Sequence, residues 1–156
     1  MKIADRIFVV LASVFFVGYL PLIPGTFGSF AGLGIFFLLR RNMPAALFAT
    51  LLIMVLGFVV SGRAEKALGR KDHRCIVIDE VAGMLLSLLA LPCYGIETFI
   101  AAFFLFRLLD TLKPYPAGSF ESYPGALGIM GDDIIAGAYV NIILQVVLRL
   151  ASCRAS

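Results

Sequence analysis

Residues 42–62 read NMPAALFATLLIMVLGFVVSG, 21 consecutive positions without a charged side chain. A transmembrane helix needs about 20 mostly apolar residues, so this stretch alone sets the terms for the fold. On its N-terminal side, residues 7–39 carry no charge for 33 positions. That run is too long for one helix and is broken at Pro21, Pro24 and Gly25. On its C-terminal side, residues 81–96 and 134–148 add charge-free runs of 16 and 15. Both are short for a span, but shorter helices serve where flanking residues snorkel or the bilayer thins.

Composition agrees with that reading. Of the 156 residues, 61% are hydrophobic and 15% charged, with a mean hydropathy of +1.00. A soluble domain averages about half apolar and about a quarter charged. Disorder is excluded, because it requires low hydrophobicity. A water-soluble globule is excluded as well, since a chain of this length cannot hide so much apolar surface. Length allows one domain, residues 1–156. A cleaved signal peptide does not fit, because the small-residue break at Pro24-Gly25-Thr26 runs straight into more apolar sequence.

The pattern predicts an all-α fold: a polytopic integral membrane helical bundle of about four to six apolar helices, some short or interfacial. The predicted segments cover residues 5–20, 27–39, 43–61, 77–92, 96–112 and 132–150. A turn-rich loop holds Pro114-Tyr115-Pro116-Ala117-Gly118 and Tyr123-Pro124-Gly125. Gly25, Gly28 and Gly32 have the spacing that lets helices approach closely. Cys75, Cys93 and Cys153 are odd in number and lack metal-site spacing, so all three read as packing residues.

Net charge is +3, and Arg63, Lys66, Arg70, Lys71 and Arg74 cluster after the clearest span. The positive-inside rule places that loop in the cytoplasm, although Arg40 and Arg41 argue the other way. A basic loop beside a bilayer also attracts anionic lipid. It is read as a membrane feature, with no nucleic-acid partner.

The acids are more informative. Asp79-Glu80 and Asp132-Asp133 each precede an apolar run, and Arg107, Asp110 and Lys113 follow Phe103-Phe104-Leu105-Phe106. Helix capping and the helix dipole account for one acid at a helix start, not for two. Spacings of three predict Arg107, Asp110 and Lys113 on one helix face, within reach of each other. If the segments alternate across the bilayer, all three clusters fall on one membrane face, together with the turn from Pro24 to Ser29. Five converging carboxylates, Asp79, Glu80, Asp110, Asp132 and Asp133, repel unless a cation joins them. Hard oxygen ligands of this kind suit Mg²⁺, which keeps open positions for phosphate oxygens and water. Arg107 and Lys113 can pair with phosphate charge. Thr26 and Ser29 offer hydroxyl and backbone donors at a helix start. These residues predict Mg²⁺-dependent phosphoryl transfer at a membrane surface, with a phospholipid as substrate. One carboxylate would act as general base and Lys113 or Arg107 would offset transition-state charge.

Four stretches resemble the motifs of the phosphatidylglycerophosphatase A family. They are Pro24-Gly25-Thr26-Phe27-Gly28-Ser29, Ile78-Asp79-Glu80-Val81-Ala82-Gly83-Met84, the run Phe106-Arg107-Leu108-Leu109-Asp110-Thr111-Leu112-Lys113-Pro114-Tyr115-Pro116, and Gly128-Ile129-Met130-Gly131-Asp132-Asp133-Ile134-Ile135-Ala136-Gly137. Each is weak alone, but four in order over residues 20–150 are specific. The resemblance implies a multi-pass enzyme of the bacterial inner membrane with its site facing the cytoplasm. It would hydrolyse phosphatidylglycerophosphate to phosphatidylglycerol and phosphate with Mg²⁺, for phospholipid biosynthesis. It matches His73 to a histidine before the Asp-Glu motif; as the sole histidine, it could assist proton transfer.

Three rival functions predict different patterns. An ion-coupled transporter would carry charges at several depths, whereas these lie at helix ends on one face. A scaffold without catalysis leaves the doubled acids unexplained. A CDP-alcohol transferase needs a second half-motif downstream of Asp133, and none is present.

Overall fold

The computed structural model describes residues 3–154 except 72 and 121. Among them are seven α-helices and no strand: α1 (Ile3–Ala12), α2 (Pro24–Leu39), α3 (Met43–Leu68), α4 (Ile78–Leu88), α5 (Ile96–Leu112), α6 (Ala117–Phe120) and α7 (Ala126–Arg154). A 3₁₀ turn, Val17–Tyr19, lies between α1 and α2. The all-helical expectation stands. Two helices, α3 and α7, are long and apolar enough to cross a membrane.

Helix α4 is the centre of the structure and packs against α2, α3, α5 and α7. Its residues Met84, Leu85 and Leu88 are completely buried, with Phe36 of α2, Phe106 of α5 and Val140 of α7 around them. A second apolar cluster joins α1, α3, α4 and α7 through Val9, Val60, Ile78 and Met130. The outside is apolar as well. Phe48 and Val55 on α3 are 67% and 61% exposed, and Ile142 and Leu150 on α7 are 60% and 63% exposed. Such a surface is stable only against hydrocarbon, which supports a membrane setting.

Close approach to α4 depends on missing side chains. A methyl at Gly28 would meet Val77 Cβ at 2.9 Å, and one at Gly32 would meet the Val81 carbonyl at 2.8 Å. On the opposite side, a methyl at Gly83 would meet the Asp133 carbonyl at 2.6 Å. The glycines of α2 predicted to serve packing therefore do so at positions 28 and 32.

Helix ends differ from the predicted ones, for identifiable reasons. The segment predicted over 5–20 ends as a helix at Ala12. Val14, Phe15 and Phe16 take φ of 49°, 52° and 72°, and the freed Ala12 carbonyl accepts the Val77 N–H at 3.0 Å. Ten residues rise about 15 Å, so α1 is too short to span. The segment predicted over 77–92 stops at Leu88. There the Asn141 amide of α7 donates to the carbonyls of Leu86, Ser87 and Leu89 at 3.1, 3.3 and 2.7 Å. Gln145 donates to the Ala90 carbonyl at 2.7 Å. These bonds replace the intrahelical partners that α4 lacks at its end. The second segment begins earlier than predicted, at Pro24, whose fixed φ suits the first helical turn. The last begins at Ala126 rather than 132, after Gly125 at φ +69°. Asp132 and Asp133 are thus inside α7 and do not cap it. The predicted loop after Pro114 contains the short helix α6.

Of the cysteines, Cys75 is buried as a packing residue, whereas Cys93 is exposed. Its position after Pro92, in the connection between α4 and α5, takes it off any packed face. The side chain of Cys153 lies outside the described residues.

Candidate active site

The N-terminal ends of α2, α4 and α7 and the C-terminal end of α5 meet around a cavity of about 330 Å³. Asp79 and Glu80 enter from the first turn of α4, Asp110 from the last turns of α5, and Asp132 and Asp133 from the second turn of α7. Arg107, Lys113 and Thr26 complete the polar lining. The five acids predicted to converge do share one cavity.

One carboxylate oxygen from each of Asp79, Glu80 and Asp133 lies within 4.8 Å of the others. Mg²⁺ bonds to oxygen at about 2.0–2.1 Å, so opposite ligands stand about 4.2 Å apart. The triad therefore needs only a small contraction to enclose a divalent cation. Asp79 and Asp133 are 7% and 3% exposed, and Glu80 Oε2 is buried with no hydrogen-bond partner. Buried carboxylates at this distance repel, and a cation is the group that removes both the repulsion and the orphaned acceptor. The residues fit a metal ion.

The cations of the site are held in separate pairs. Arg107 Nη1 is 2.8 Å from Asp110 Oδ2, one turn along α5. Lys113 reaches an acid on a different helix. It ends α5 with φ +46°, and its Nζ turns to Asp132 Oδ2 at 2.7 Å on α7. The left-handed C-cap re-aims the side chain off the α5 face and ties α5 to α7. Asp132 is thereby engaged outside the Asp79–Glu80–Asp133 triad.

Two predicted residues are not brought to the cavity. The Ser29 hydroxyl is fully buried and donates back to the Gly25 carbonyl at 3.1 Å. His73 Nδ1 accepts the Cys75 N–H at 3.2 Å and stabilises the turn before α4. Residues beyond the predicted set also line it, Gly25 and Arg74 among them. Gly25 leaves room for Glu80, whose carboxylate would collide with a methyl there. Arg74 lines it from the basic loop. Both were visible in the sequence, Gly25 among the closely spaced glycines and Arg74 in the basic cluster, but neither pattern distinguishes a site residue from packing or topology.

The fold and the cavity define a class: a membrane-associated helical protein with a carboxylate centre suited to a cation. A family described as Phosphatidylglycerophosphatase A matches residues 10–148. This chain belongs to that family. It is 38% identical over 130 residues to the phosphatidylglycerophosphatase A of Escherichia coli K12, covering 81% of this chain and 75% of that one. It is 37% identical over 137 residues to the phosphatidylglycerophosphatase A of Haemophilus influenzae, covering 86% and 84%. A Bacteroides thetaiotaomicron protein, named provisionally as a phosphatidylinositol-3-phosphatase, is 33% identical over 154 residues, covering 94% and 96%. No solved structure matches this chain.

Proposed function

We infer that this protein is a Mg²⁺-dependent phosphatidylglycerophosphate phosphatase of the bacterial inner membrane, acting as one domain with its site towards the cytoplasm. The observation that carries the reading is the Asp79–Glu80–Asp133 triad, with ligand atoms within 4.8 Å, beside Arg107 and Lys113 in one cavity. Family membership supplies the substrate class. In this reading the bundle crosses the membrane several times, with α2 and α5 beside α3 and α7 around the shorter, buried α4.

Bound Mg²⁺ supplies positive charge that polarises the phosphate ester. Asp79, Glu80 and Asp133 hold it, and Asp132 and Asp110 complete the acidic wall. Arg107 and Lys113 meet the non-bridging phosphate oxygens and offset charge in the transition state. Thr26 donates to the same group from the start of α2, whose N-terminal dipole favours an anion. A water oxygen bonds to phosphorus as the phosphorus–glycerol oxygen bond breaks. One wall carboxylate takes the water proton, and the departing glycerol oxygen gains one. The products are phosphatidylglycerol and inorganic phosphate.

The test is phosphate release from phosphatidylglycerophosphate by purified protein in detergent, with Mg²⁺ and with EDTA. Release in Mg²⁺ and its loss in EDTA are expected. No release in either would sink the enzyme reading. Asp79→Asn and Asp133→Asn are expected to insert normally and lose activity; full activity in both would refute the triad. Phosphorylated phosphatidylinositol serves as the competing substrate, because the Bacteroides relative is named for that headgroup.

A further inference from the structure

Beside the acidic cavity lies a second one of about 440 Å³, walled by Glu65, Arg70, Lys71, Arg74, Tyr123 and Gly125. Arg74, Gly128 and Ile129 line both cavities, so the two meet along a shared wall. The sign of charge reverses across it. Among the described residues, the first holds five carboxylates, while the second sets three cations against Glu65. Two cations of the first pair with its own acids, Arg107 with Asp110 and Lys113 with Asp132. Arg74 is exposed and makes no ion pair among the described residues.

Phosphatidylglycerophosphate carries two phosphates on one short linker. The terminal monoester is cleaved, and the phosphodiester, one glycerol away, keeps its charge throughout. With the monoester among the carboxylates and their cation, the diester must lie next to that cavity. It needs cations that the acids have not already engaged. A guanidinium meets a phosphate through paired N–H donors, which suits Arg74 and Arg70 better than a general attraction would. We propose that Arg74, with Arg70, forms an anion subsite for the retained phosphodiester of the substrate headgroup. The proposal rests on the phosphatase reading and adds the half of the headgroup on which no chemistry occurs. The subsite selects lipids whose monoester is followed by a second phosphate. Free phosphate suits the same cations, and the test separates the two sources.

Arg74→Gln, Arg70→Gln and Arg74→Lys are compared with the wild type in mixed micelles with Mg²⁺. The two substrates are phosphatidylglycerophosphate and phosphatidic acid, which has a monoester and no second phosphate. Arg74→Gln is expected to lower kcat/KM on phosphatidylglycerophosphate about tenfold or more, mainly through KM, and on phosphatidic acid by a smaller factor. Arg70→Gln does the same more weakly, and Arg74→Lys recovers part of the loss. Equal losses on the two lipids, or no loss, overturn the subsite. If Arg74→Gln only weakens inhibition by inorganic phosphate and leaves the lipid ratio unmoved, the cavity takes free phosphate and the diester proposal falls. Equilibrium binding of phosphatidylglycerol, which keeps only the diester, reads the subsite without turnover. Arg74→Gln is expected to weaken it about tenfold. Equal binding by both proteins overturns the proposal. Absence of hydrolysis by the wild type overturns the phosphatase reading instead.

Discussion

Glu80 concentrates the electrostatics of the site. Its Oε2 is buried without a hydrogen-bond partner, in a triad with two nearly inaccessible aspartates. Without a cation this arrangement opposes folding, so metal is expected to stabilise the protein as well as activate it. Ligand at a hundred times its Kd adds about 2.7 kcal/mol, and Mg²⁺ should raise the unfolding midpoint of the detergent-solubilised protein accordingly. Glu80→Gln removes one of the repelling charges. It is expected to be at least as stable as the wild type in EDTA, to gain less from Mg²⁺, and to lose on the order of 10²-fold in kcat/KM. Equal Mg²⁺ stabilisation of variant and wild type would show that Glu80 is not a ligand. At this scale the acids were legible in the sequence because a charge in an apolar chain is expensive and needs a reason. Ser29 and His73 were not, because a hydroxyl or imidazole has local backbone partners available, the Gly25 carbonyl and the Cys75 N–H. Only the folded chain shows that they take them.

Two contacts of α4 determine where its acids stand. Its C-terminal carbonyls are satisfied by Asn141, which donates to Leu86, Ser87 and Leu89. Water is absent from a bilayer interior, so Asn141→Leu leaves those groups without replacement partners. The expected loss is about 1–3 kcal/mol in a reversible unfolding assay. A variant as stable as the wild type would mean that Gln145 or the detergent compensates. Gly83 is the second contact, because it sets the approach of α4 to α7. Gly83→Ala would place a methyl 2.6 Å from both the Asp133 carbonyl and the Phe106 ring. The helices must part, which moves Asp79 and Glu80 relative to Asp133. A displacement near 1 Å can reduce rate about 10²-fold, so activity should fall well before secondary structure does. Unaltered kcat with a normal circular dichroism spectrum would contradict this. Helix existence could be read from charge-free runs, but the ends could not. The stop at Leu88 depends on an amide more than 50 residues away, and the start at Ala126 places Asp132 and Asp133 inside a helix that they were expected to open.

Across the whole molecule, alternation of segments was enough to bring the acidic clusters together, even with helix ends misplaced by several residues. Convergence depends on the direction of α4, α5 and α7 rather than on their limits. The basic cluster, from Arg63 to Arg74, lies at the same end as the acids, since Arg74 lines the acidic cavity. The opposite end carries the α2–α3 turn with Arg40 and Arg41. Arg40 is tied down there, donating to the Phe37 carbonyl at 2.8 Å with its guanidinium over the Phe37 ring. The basic cluster of five, joined at that end by Arg107 and Lys113, outweighs Arg40, Arg41, Arg149 and Arg154 at the other and should place the site in the cytoplasm. Single-cysteine variants test this in a background where Cys75, Cys93 and Cys153 are alanine and activity is retained. A membrane-impermeant maleimide applied to intact cells is expected to label Arg41→Cys, at the exposed α2–α3 turn, and to label Lys71→Cys only after the membrane is opened. The reverse pattern would put the site on the outer face. It would separate the enzyme from any substrate made inside the cell, leaving the chemistry of the cavity intact and its proposed role wrong.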